Sequence, residues 1–330
     1  MGFKLQGKEV GNIGFGLMGL TWRPTKLSDE EIFPLFKEAI AVGCNAFNAS
    51  EIYGTPDHNS LTVLSRYYEK YPEDIVKIHL NCKGCVFPPF IHDSSPDGVN
   101  RSIENNVRLI GGKGRIDMFE AARKDRTIEI EATVAAISEH IKNGNIGGVA
   151  LSEVSAATIR RAALVTKIEA VEVELSLWST EPLENGVAET CAELGIPIFA
   201  YAPLGRGILG GKIKSLADIP EGDIRRALPR FQPDVFDTNL QLGAAVERIA
   251  DRKGCTPAQV AINWLLALSR RPGMPKIIPI PGASSVERIR ENSVEVEMTD
   301  EDMLELSKIR KEFPAVGDRY DEHGMAALDY

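Results

Sequence analysis

The feature that most constrains the fold of this chain is an eightfold alternation of short apolar runs with amphipathic segments. The runs are rich in β-branched residues, which predicts buried strands, and the segments between them place apolar residues three to four positions apart, as helices do. An open doubly wound sheet usually has five or six strands, whereas eight repeats of strand and helix close into a barrel. The predicted strands are Val10 to Phe15, Asn45 to Ala49, Lys77 to Cys82, Arg115 to Ala121, Gly147 to Leu151, Ala170 to Leu175, Ile196 to Ala202 and Lys276 to Ile280.

We therefore predict an α/β protein, a (β/α)8 TIM barrel in which residues 1–330 form a single domain, because no linker rich in proline, glycine or serine divides the repeats. Ser28 and Glu31 should form a capping box at the start of the first helix. FKLQGKEV, before the first strand, predicts half of an N-terminal hairpin, and MTDEDMLELSKIRKEF predicts an extra C-terminal helix. The stretch from Gly205 to Asn239 predicts a loop of more than 30 residues, a length that usually indicates function.

Composition narrows the partners of such a barrel. The chain has 330 residues, a net charge of −9 and a pI near 5.3, whereas nucleic acids and anionic membranes need a basic face. No apolar run reaches the roughly 18 residues of a membrane span, and the first residues lack a secretory core. The five cysteines are odd in number and scattered, unlike a disulfide framework. We expect a cytoplasmic protein with a small-molecule partner and no nucleic-acid, membrane or metal binding.

Three short motifs look like functional signatures but lack the context that those signatures need. GFGLMG from Gly14 and GRGILG from Gly205 match the dinucleotide fingerprint, yet neither is followed by both a helix and an acidic residue about 20 positions later. Tight barrel turns are the simpler interpretation of both. Cys82 and Cys85 form a C-x-x-C pair, but no second pair of zinc ligands follows, and VFPPF cannot open the helix that a thioredoxin-type pair needs. The role of these two cysteines stays open.

Several polar residues fall where the predicted strands end, which is where barrels of this type carry their function. Tyr53 follows the second strand and Lys83 ends the third, so their side chains should meet at this end of the barrel. A lysine ammonium stabilises a nearby phenolate and lowers the phenol pKa from about 10, which makes such a tyrosine a general acid. Other polar residues at the same end are Asn48, Ser152, Glu153, Glu172 and Tyr201.

The order of several further motifs makes the chain resemble the aldo-keto reductases. FNASEIYG, CKG, GVALSEVS, VEVELSLWS, AYAPLGRGILGG and IPIPGASSVERIREN are similar to the successive signatures of that superfamily over nearly the whole length. GLMGLTWRP, FEAARKD and LSEVSAATIRRAA most resemble its fungal pyridoxal reductase branch. The resemblance implies an NADPH-dependent carbonyl reductase in which a tyrosine donates a proton, a lysine and an aspartate tune it, and a histidine orients the carbonyl.

The catalytic positions implied by the resemblance are only partly kept in this chain. The tyrosine position is Tyr53 and the lysine position is Lys83, but the aspartate position is Asn48 and the histidine position is Ala122. The same two departures are typical of the pyridoxal reductase branch that the chain resembles.

Strand alternation suggests a replacement for the missing aspartate. Glu120 shares the inward side of its strand with Ala122, and that strand lies next to the one that carries Lys83. A buried carboxylate is costly unless it is paired. We therefore predict that Glu120 is the counter-charge of Lys83; Arg123 or a water molecule is the alternative partner of this carboxylate.

The resemblance also implies contacts with the cofactor. The carboxamide positions are Ser152, Glu153 and Glu172, where the family usually has Ser, Asn and Gln. A carboxylate accepts from the carboxamide NH2 but cannot donate to its oxygen, so Ser152 must supply that donor alone. Tyr201 is implied to stack on the nicotinamide, and the loop that closes over the pyrophosphate contains Leu204, Gly205, Arg206 and Gly207. The residues implied at the adenosine 2′-phosphate are Ser284, Ser285 and Arg288, and a contact with this phosphate favours NADPH over NADH. Asn292 is implied to lie at the adenine.

Ala122 is interpreted as an adaptation to a flat aromatic aldehyde. Alanine leaves room over the nicotinamide, with Trp22, Phe87 and Phe90 as candidate apolar walls. Pyridoxal carries a phenolic hydroxyl beside its aldehyde, and this hydroxyl can hydrogen-bond to the carbonyl oxygen where the protein has no histidine to do so.

The predicted function is therefore the reduction of an aldehyde, pyridoxal to pyridoxine. Two other interpretations remain: a general aldehyde or ketone reductase, and a nicotinamide-binding sensor or interaction subunit, for which Asn48 and Ala122 would mark a weakened site. The retained Tyr53 and Lys83 favour an enzyme.

Overall fold

Eight parallel strands form the centre of the molecule, in a computed structural model that describes residues 3–329. The strands lie side by side in the order in which they occur in the chain, and neighbours pair in parallel. They are β1 (Phe15–Gly16), β2 (Ala46–Ser50), β3 (His79–Gly84), β4 (Met118–Ala121), β5 (Val149–Ser152), β6 (Ile168–Glu174), β7 (Ile198–Tyr201) and β8 (Ile277–Pro279).

Backbone hydrogen bonds between the two ends of the sheet close it into the predicted (β/α)8 barrel. Gly14 N donates to Pro279 O at 2.8 Å, and Gly16 N makes a second such bond at 3.1 Å two residues further along. The segments approach so closely that a Cβ atom on Gly14 would lie 2.6 Å from Ala46 O, and one on Gly16 would lie 2.8 Å from Ile280 O. The first two glycines of GFGLMG are therefore needed for barrel closure.

Helices cover the outside of the barrel. The second of them begins at the predicted capping box, in which Glu31 N donates to Ser28 Oγ at 3.3 Å and Ser28 N donates to Glu31 Oε2 at 2.8 Å. The predicted extra C-terminal helix is also present, as α11. The helices are α1 (Met18–Thr21), α2 (Asp29–Ala41), α3 (Ser60–Lys70), α4 (Pro96–Leu109), α5 (Ile130–Lys142), α6 (Ala156–Val165), α7 (Val187–Leu194), α8 (Pro233–Lys253), α9 (Pro257–Ser269), α10 (Val286–Ser293), α11 (Asp300–Glu312) and α12 (Glu322–Ala326).

The predicted first strand, Val10 to Phe15, is wrong in its N-terminal part. Lys8–Val10 pairs antiparallel with Phe3–Leu5, so a whole hairpin precedes the barrel. Its turn residues Gln6 and Gly7 have φ angles of 51° and 79°, the left-handed values of a tight hairpin turn. Apolar residues of both hairpin strands pack into the barrel interior, and this packing competes successfully with continuation into β1.

The long loop after β7 is shorter than predicted. It begins near Gly205, but the chain is helical from Pro233 onward, so the expectation of a loop up to Asn239 is wrong. Proline is preorganised for the first turn of a helix, and buried Phe236 anchors that turn. The loop itself contains short 3-10 turns at Gly205–Gly210, Leu216–Asp218, Ile224–Ala227 and Pro229–Phe231.

An apolar layer inside the barrel determines where the polar residues lie. Ala46, Met118, Ala150, Ala170 and Phe199 pack together in this layer. Because successive side chains of a strand face opposite sides, the residue two positions later faces the interior again, closer to the carboxyl end. This rule places the next interior layer at Asn48, Glu120, Ser152, Glu172 and Tyr201.

Candidate active site

Lys83 is the centre of a buried polar network at the carboxyl ends of the strands. Its side chain is 7% exposed, and Nζ donates to Asn48 Oδ1 at 3.0 Å and lies close to Glu172 Oε1. Asn48 Nδ2 in turn donates to Glu172 Oε2 at 2.6 Å. Asn81 Nδ2 approaches the same oxygen at 3.2 Å. Glu172 is therefore tied to Lys83 and two amides, and it has the geometry of the lysine's counter-ion.

Glu120 also contacts Lys83, and its pKa is raised at this buried position. The predicted contact is confirmed, since Lys83 Nζ lies 3.2 Å from Glu120 Oε1. Burial raises the pKa of Glu120 well above its usual value, the charge of Glu172 raises it further, and Lys83 only partly opposes them. Its Oε2 accepts no hydrogen bond from any residue in the described range 3–329. The raised pKa favours the protonated form of Glu120, so its role as the counter-charge stays a prediction, and Glu172 is a second carboxylate on the same ammonium.

Asn81 is a member of this network that the sequence analysis missed. It donates to Glu120 Oε1 at 3.1 Å as well as to Glu172. The signal was available in HLNCKG, where His79, Asn81 and Lys83 recur at every second position of a buried strand and must face the barrel interior together.

Glu153 has a cation of its own, Arg319. Glu153 is fully buried; Arg319 Nη2 donates to its Oε2 at 2.9 Å, and Glu174 N donates to its Oε1 at 2.8 Å. The carboxamide contacts expected of Glu153 and Glu172 stay predictions, and both carboxylates already hold partners from this chain.

Ser152 fits the donor role that the sequence analysis assigned to it. The residue is 1% exposed, and its Oγ has no hydrogen-bond partner among residues 3–329. An unpartnered buried hydroxyl is costly unless a bound molecule satisfies it. Ser152 Oγ is therefore available to donate to a bound molecule, which fits the predicted contact with a carboxamide oxygen.

Tyr53 lies just after β2, beside this network. Burial raises its pKa to about 12; Lys83 acts to lower that pKa, whereas Glu172 and Glu120 act to raise it. Lys83 thus acts in the expected direction without setting the net shift. The phenol is fully protonated at neutral pH, as a proton donor must be.

Of the three predicted aromatic walls, Trp22 lies beside Tyr53 and Phe90 stacks on Trp22. The Trp22 and Tyr53 rings are 6.2 Å apart, and Phe90 stacks on Trp22 at 5.9 Å with an interplanar angle of 9°. The Phe87 ring instead lies 4.3 Å from the guanidinium of Arg101 on α4. On the far side of the site, Ala122 follows β4 and is 6% exposed.

The segment after α11 lies over the carboxyl end of the barrel, which the sequence analysis did not foresee. Tyr320 OH is 2.9 Å from the hydroxyl of Tyr201, the residue predicted to stack on the nicotinamide. The Tyr320 ring lies 4.9 Å from the guanidinium of Arg206, which is bonded to Glu174 at 2.9 Å. GDRYDEHG has no periodicity that could locate it on the barrel.

The residues predicted to hold the phosphates lie on a turn and a helix start. Gly205, Arg206 and Gly207, which follow Leu204, have φ angles of 54°, 55° and 107°, so their amides turn away from a regular strand or helix. Ser285 caps α10 and accepts from Arg288 N at 3.3 Å; Ser284 precedes it and Asn292 lies buried on the same helix. The exposed Arg288 side chain forms no ion pair within residues 3–329. A cation beside a helix N-terminus fits a phosphate.

The C-x-x-C cysteines lie away from this chemistry. Cys82 and Cys85 are both buried free thiols, and burial raises the pKa of each. Over residues 3–329, we find no cluster of three or more His, Cys, Asp or Glu side chains that could hold a metal ion. Within the same residues, none of the helices combines the length and apolar character of a membrane span.

Sequence comparison identifies the class of protein that this fold and site define. Residues 12–311 match the Aldo/keto reductase family, and the chain belongs to that family of oxidoreductases. Among its relatives, "Probable pyridoxal reductase 2" of Schizosaccharomyces pombe is 37% identical over 98% of this chain and 98% of its own. "Putative pyridoxal reductase" of Saccharomyces cerevisiae is 38% identical over 93% of this chain and 95% of its own.

Solved structures share the fold at lower sequence identity. A glycerol dehydrogenase from Gluconobacter oxydans has a TM-score of 0.80 and 18% identity, covering 96% of this chain and 95% of its own. A thermostable aldo-keto reductase in complex with the inhibitor epalrestat has a TM-score of 0.72 and 23% identity, covering 94% and 99%. At these identities the likeness concerns the barrel alone.

Proposed function

We propose that this protein reduces pyridoxal to pyridoxine, with NADPH as the cofactor. The observation that carries the proposal is the neutral phenol of Tyr53 beside the network of Lys83, Asn48 and Glu172. The two relatives named as pyridoxal reductases support the choice of substrate. Bound NADPH would supply the hydride.

In this proposal Tyr53 gives a proton to the carbonyl oxygen as negative charge develops on it. The phenolate that remains is stabilised by the nearby ammonium of Lys83. Glu172 and Asn48 hold that ammonium in place and are themselves held by it. The raised pKa of Glu120 favours its protonated form, which would keep the buried network from carrying a second negative charge.

The cofactor would lie across the carboxyl end of the barrel. Ser152 would donate to the carboxamide, and Tyr201 would stack on the nicotinamide. Leu204, Gly205, Arg206 and Gly207 would lie at the pyrophosphate, with Ser284, Ser285 and Arg288 at the 2′-phosphate and Asn292 at the adenine. These roles combine the resemblance with the unpartnered Ser152 hydroxyl and the exposed Arg288.

Because Ala122 has no hydrogen-bond donor, an oxygen substituent next to the aldehyde becomes important for orienting the substrate. Alanine cannot orient the carbonyl, so this oxygen substituent has to contribute, either through its own O–H or by binding a donor of the protein. Pyridoxal has such a substituent at its 3-position. Trp22 and Phe90 offer a stacked aromatic surface for its ring beside Tyr53.

The test is reduction of pyridoxal and of 3-deoxypyridoxal at saturating NADPH, followed by the loss of nicotinamide absorbance. We expect pyridoxal to react with a catalytic efficiency about 10²-fold higher, the usual contribution of a positioned donor. Equal efficiencies across a panel of aldehydes would instead favour a general aldehyde or ketone reductase. Binding of NADPH with no turnover of any aldehyde would favour the sensor.

A further inference from the structure

Arg123 is a cation at the mouth of the barrel that has no role in the network around Lys83. It follows Ala122 directly after β4 and is partly exposed. Its Nη1 donates to Ala122 O at 2.6 Å, and its Nη2 donates to Tyr320 OH at 3.4 Å. These contacts turn the guanidinium back over the end of its own strand, toward the site.

The partners of Arg123 differ from those of the other arginines at this end of the barrel. Arg206 pairs with Glu174 at 2.9 Å and Arg319 pairs with Glu153 at 2.9 Å. Arg123, in contrast, has no carboxylate within 4.0 Å anywhere in residues 3–329. The alternative partnership of Arg123 with Glu120 is thus not formed. A guanidinium carries five N–H donors, so most of those on Arg123 remain available to a ligand.

The position of Arg123 brings these donors to the reacting groups. Tyr320 OH, its hydrogen-bond partner, is 2.9 Å from the hydroxyl of Tyr201. The charge of Arg123 also acts on the phenol of Tyr53, whose pKa it lowers after the larger effects of burial, Lys83 and the two glutamates. The charge of Arg123 therefore acts on both the proposed nicotinamide surface at Tyr201 and the proposed proton donor Tyr53.

We propose that Arg123 is the specificity-determining residue that binds the 3-oxygen of the substrate next to its aldehyde. This inference rests on the proposed function and deepens it. The electron-poor pyridine ring makes that hydroxyl acidic, and as a phenolate it accepts hydrogen bonds but cannot donate one to the carbonyl. The planar fork of a guanidinium can donate to a phenolate and a neighbouring carbonyl oxygen together. Arg123 thereby supplies the donor that Ala122 lacks.

The experiment compares Arg123→Gln and Arg123→Lys with the wild type on pyridoxal and 3-deoxypyridoxal at saturating NADPH. We expect Arg123→Gln to shrink the preference for pyridoxal about ten- to a hundredfold, the value of a charged hydrogen bond, and Arg123→Lys to keep part of it. The matched control is Arg126→Gln, which removes an exposed arginine whose Nη2 donates to Leu328 O at 3.3 Å. It should leave the preference within about twofold, well below one charged hydrogen bond.

Equal losses on both aldehydes for Arg123→Gln, or an equal effect of Arg126→Gln, would overturn the inference. A wild type that reduces both aldehydes equally would also overturn it, while reduction of pyridoxal to pyridoxine would still stand. If neither aldehyde is reduced, the proposed function fails, and titration with pyridoxine and 3-deoxypyridoxine then decides the inference. Arg123→Gln must weaken pyridoxine binding more than 3-deoxypyridoxine binding, and equal weakening refutes the role of Arg123.

Discussion

The two glutamates that contact Lys83 should respond in opposite ways to the same substitution. Glu120→Gln and Glu172→Gln each replace a carboxylate by an amide of nearly equal size, at 0% and 1% side-chain exposure. Since the raised pKa favours the protonated form of Glu120, Glu120→Gln should change the free energy of unfolding by less than about 1 kcal/mol near pH 4.5, and at pH 7 the variant should be more stable than the wild type. Glu172→Gln removes the counter-ion and should cost more.

The loss of stability in Glu172→Gln depends on whether Glu120 can ionise and replace Glu172 as the counter-ion of Lys83. Losing the partner of a buried ion costs about 3–5 kcal/mol. In Glu172→Gln, however, Glu120 lies 3.2 Å from Lys83 Nζ and can ionise in its place. We therefore expect about 1–3 kcal/mol for Glu172→Gln and the full cost of about 3–5 kcal/mol only for the double variant. Adding Asn48→Asp to Glu172→Gln returns a carboxylate to Lys83 and should recover much of the loss.

The free energy of unfolding of Glu120→Gln relative to the wild type should change with pH in a definite direction. A carboxyl group with a raised pKa in the folded state binds its proton more tightly there than in the unfolded chain, so it destabilises the fold as pH rises above the unfolded value of 4.5. Glu120→Gln lacks this titration. Its stability relative to the wild type should therefore increase with pH, by up to about 1.4 kcal/mol per unit, from near pH 5 until the folded Glu120 ionises.

The assay is denaturant unfolding of the wild type and the variants at several pH values, followed by tryptophan fluorescence and circular dichroism. If Glu120→Gln is as destabilising as Glu172→Gln at pH 7, or loses stability relative to the wild type as pH rises, Glu120 is charged and the assignment of the counter-ion is wrong.

Two further predictions concern the reaction and the cofactor. Tyr53→Phe should lower turnover about 10²-fold or more through loss of the general acid while NADPH still binds, as measured by stopped-flow reduction and fluorescence titration; wild-type turnover would rule Tyr53 out. Arg288→Ala should weaken the binding of NADPH about ten- to a hundredfold and leave the binding of NADH nearly unchanged. The control is Arg290→Ala on the same helix, which removes an arginine that is paired with Glu38 at 2.6 Å. If Arg288→Ala weakens the binding of NADPH and of NADH equally, the 2′-phosphate binds elsewhere.

The strand positions and the interior residues follow from local rules, and these could be predicted. Alternation with period two identifies Asn48, Glu120, Ser152 and Glu172 as one interior layer once the barrel is assumed. The same rule applied to His79 and its neighbours would also have found Asn81. The hairpin boundary was not found in this way, because Val10 could end a hairpin strand or begin the first barrel strand, and the residue pattern does not distinguish the two.

What could not be predicted depends on distances across the barrel and on the course of the tail. Glu120 lies on the strand next to that of Lys83, whereas Glu172 reaches Lys83 from β6, three strands away, so strand neighbourhood finds only the first of the two carboxylates. Arg319 meets Glu153 across 166 positions of the chain. No periodic pattern links such residues, and only the packed structure brings them together.

The departures of this site from the usual family pattern are best explained when residues that contact each other are considered together, because their charges compensate. The resemblance implies that Asn48 stands at the family's aspartate position and Glu172 at one of its amide positions; these two side chains share a hydrogen bond of 2.6 Å and both contact Lys83. On that correspondence, a carboxylate and an amide exchange places around one ammonium, and this pair of positions keeps its combined charge. Glu153 adds a carboxylate, and Arg319 adds the matching cation. Since each change is balanced by a contacting partner, the network keeps the charge that a tyrosine acid requires, which argues against a site that has simply decayed.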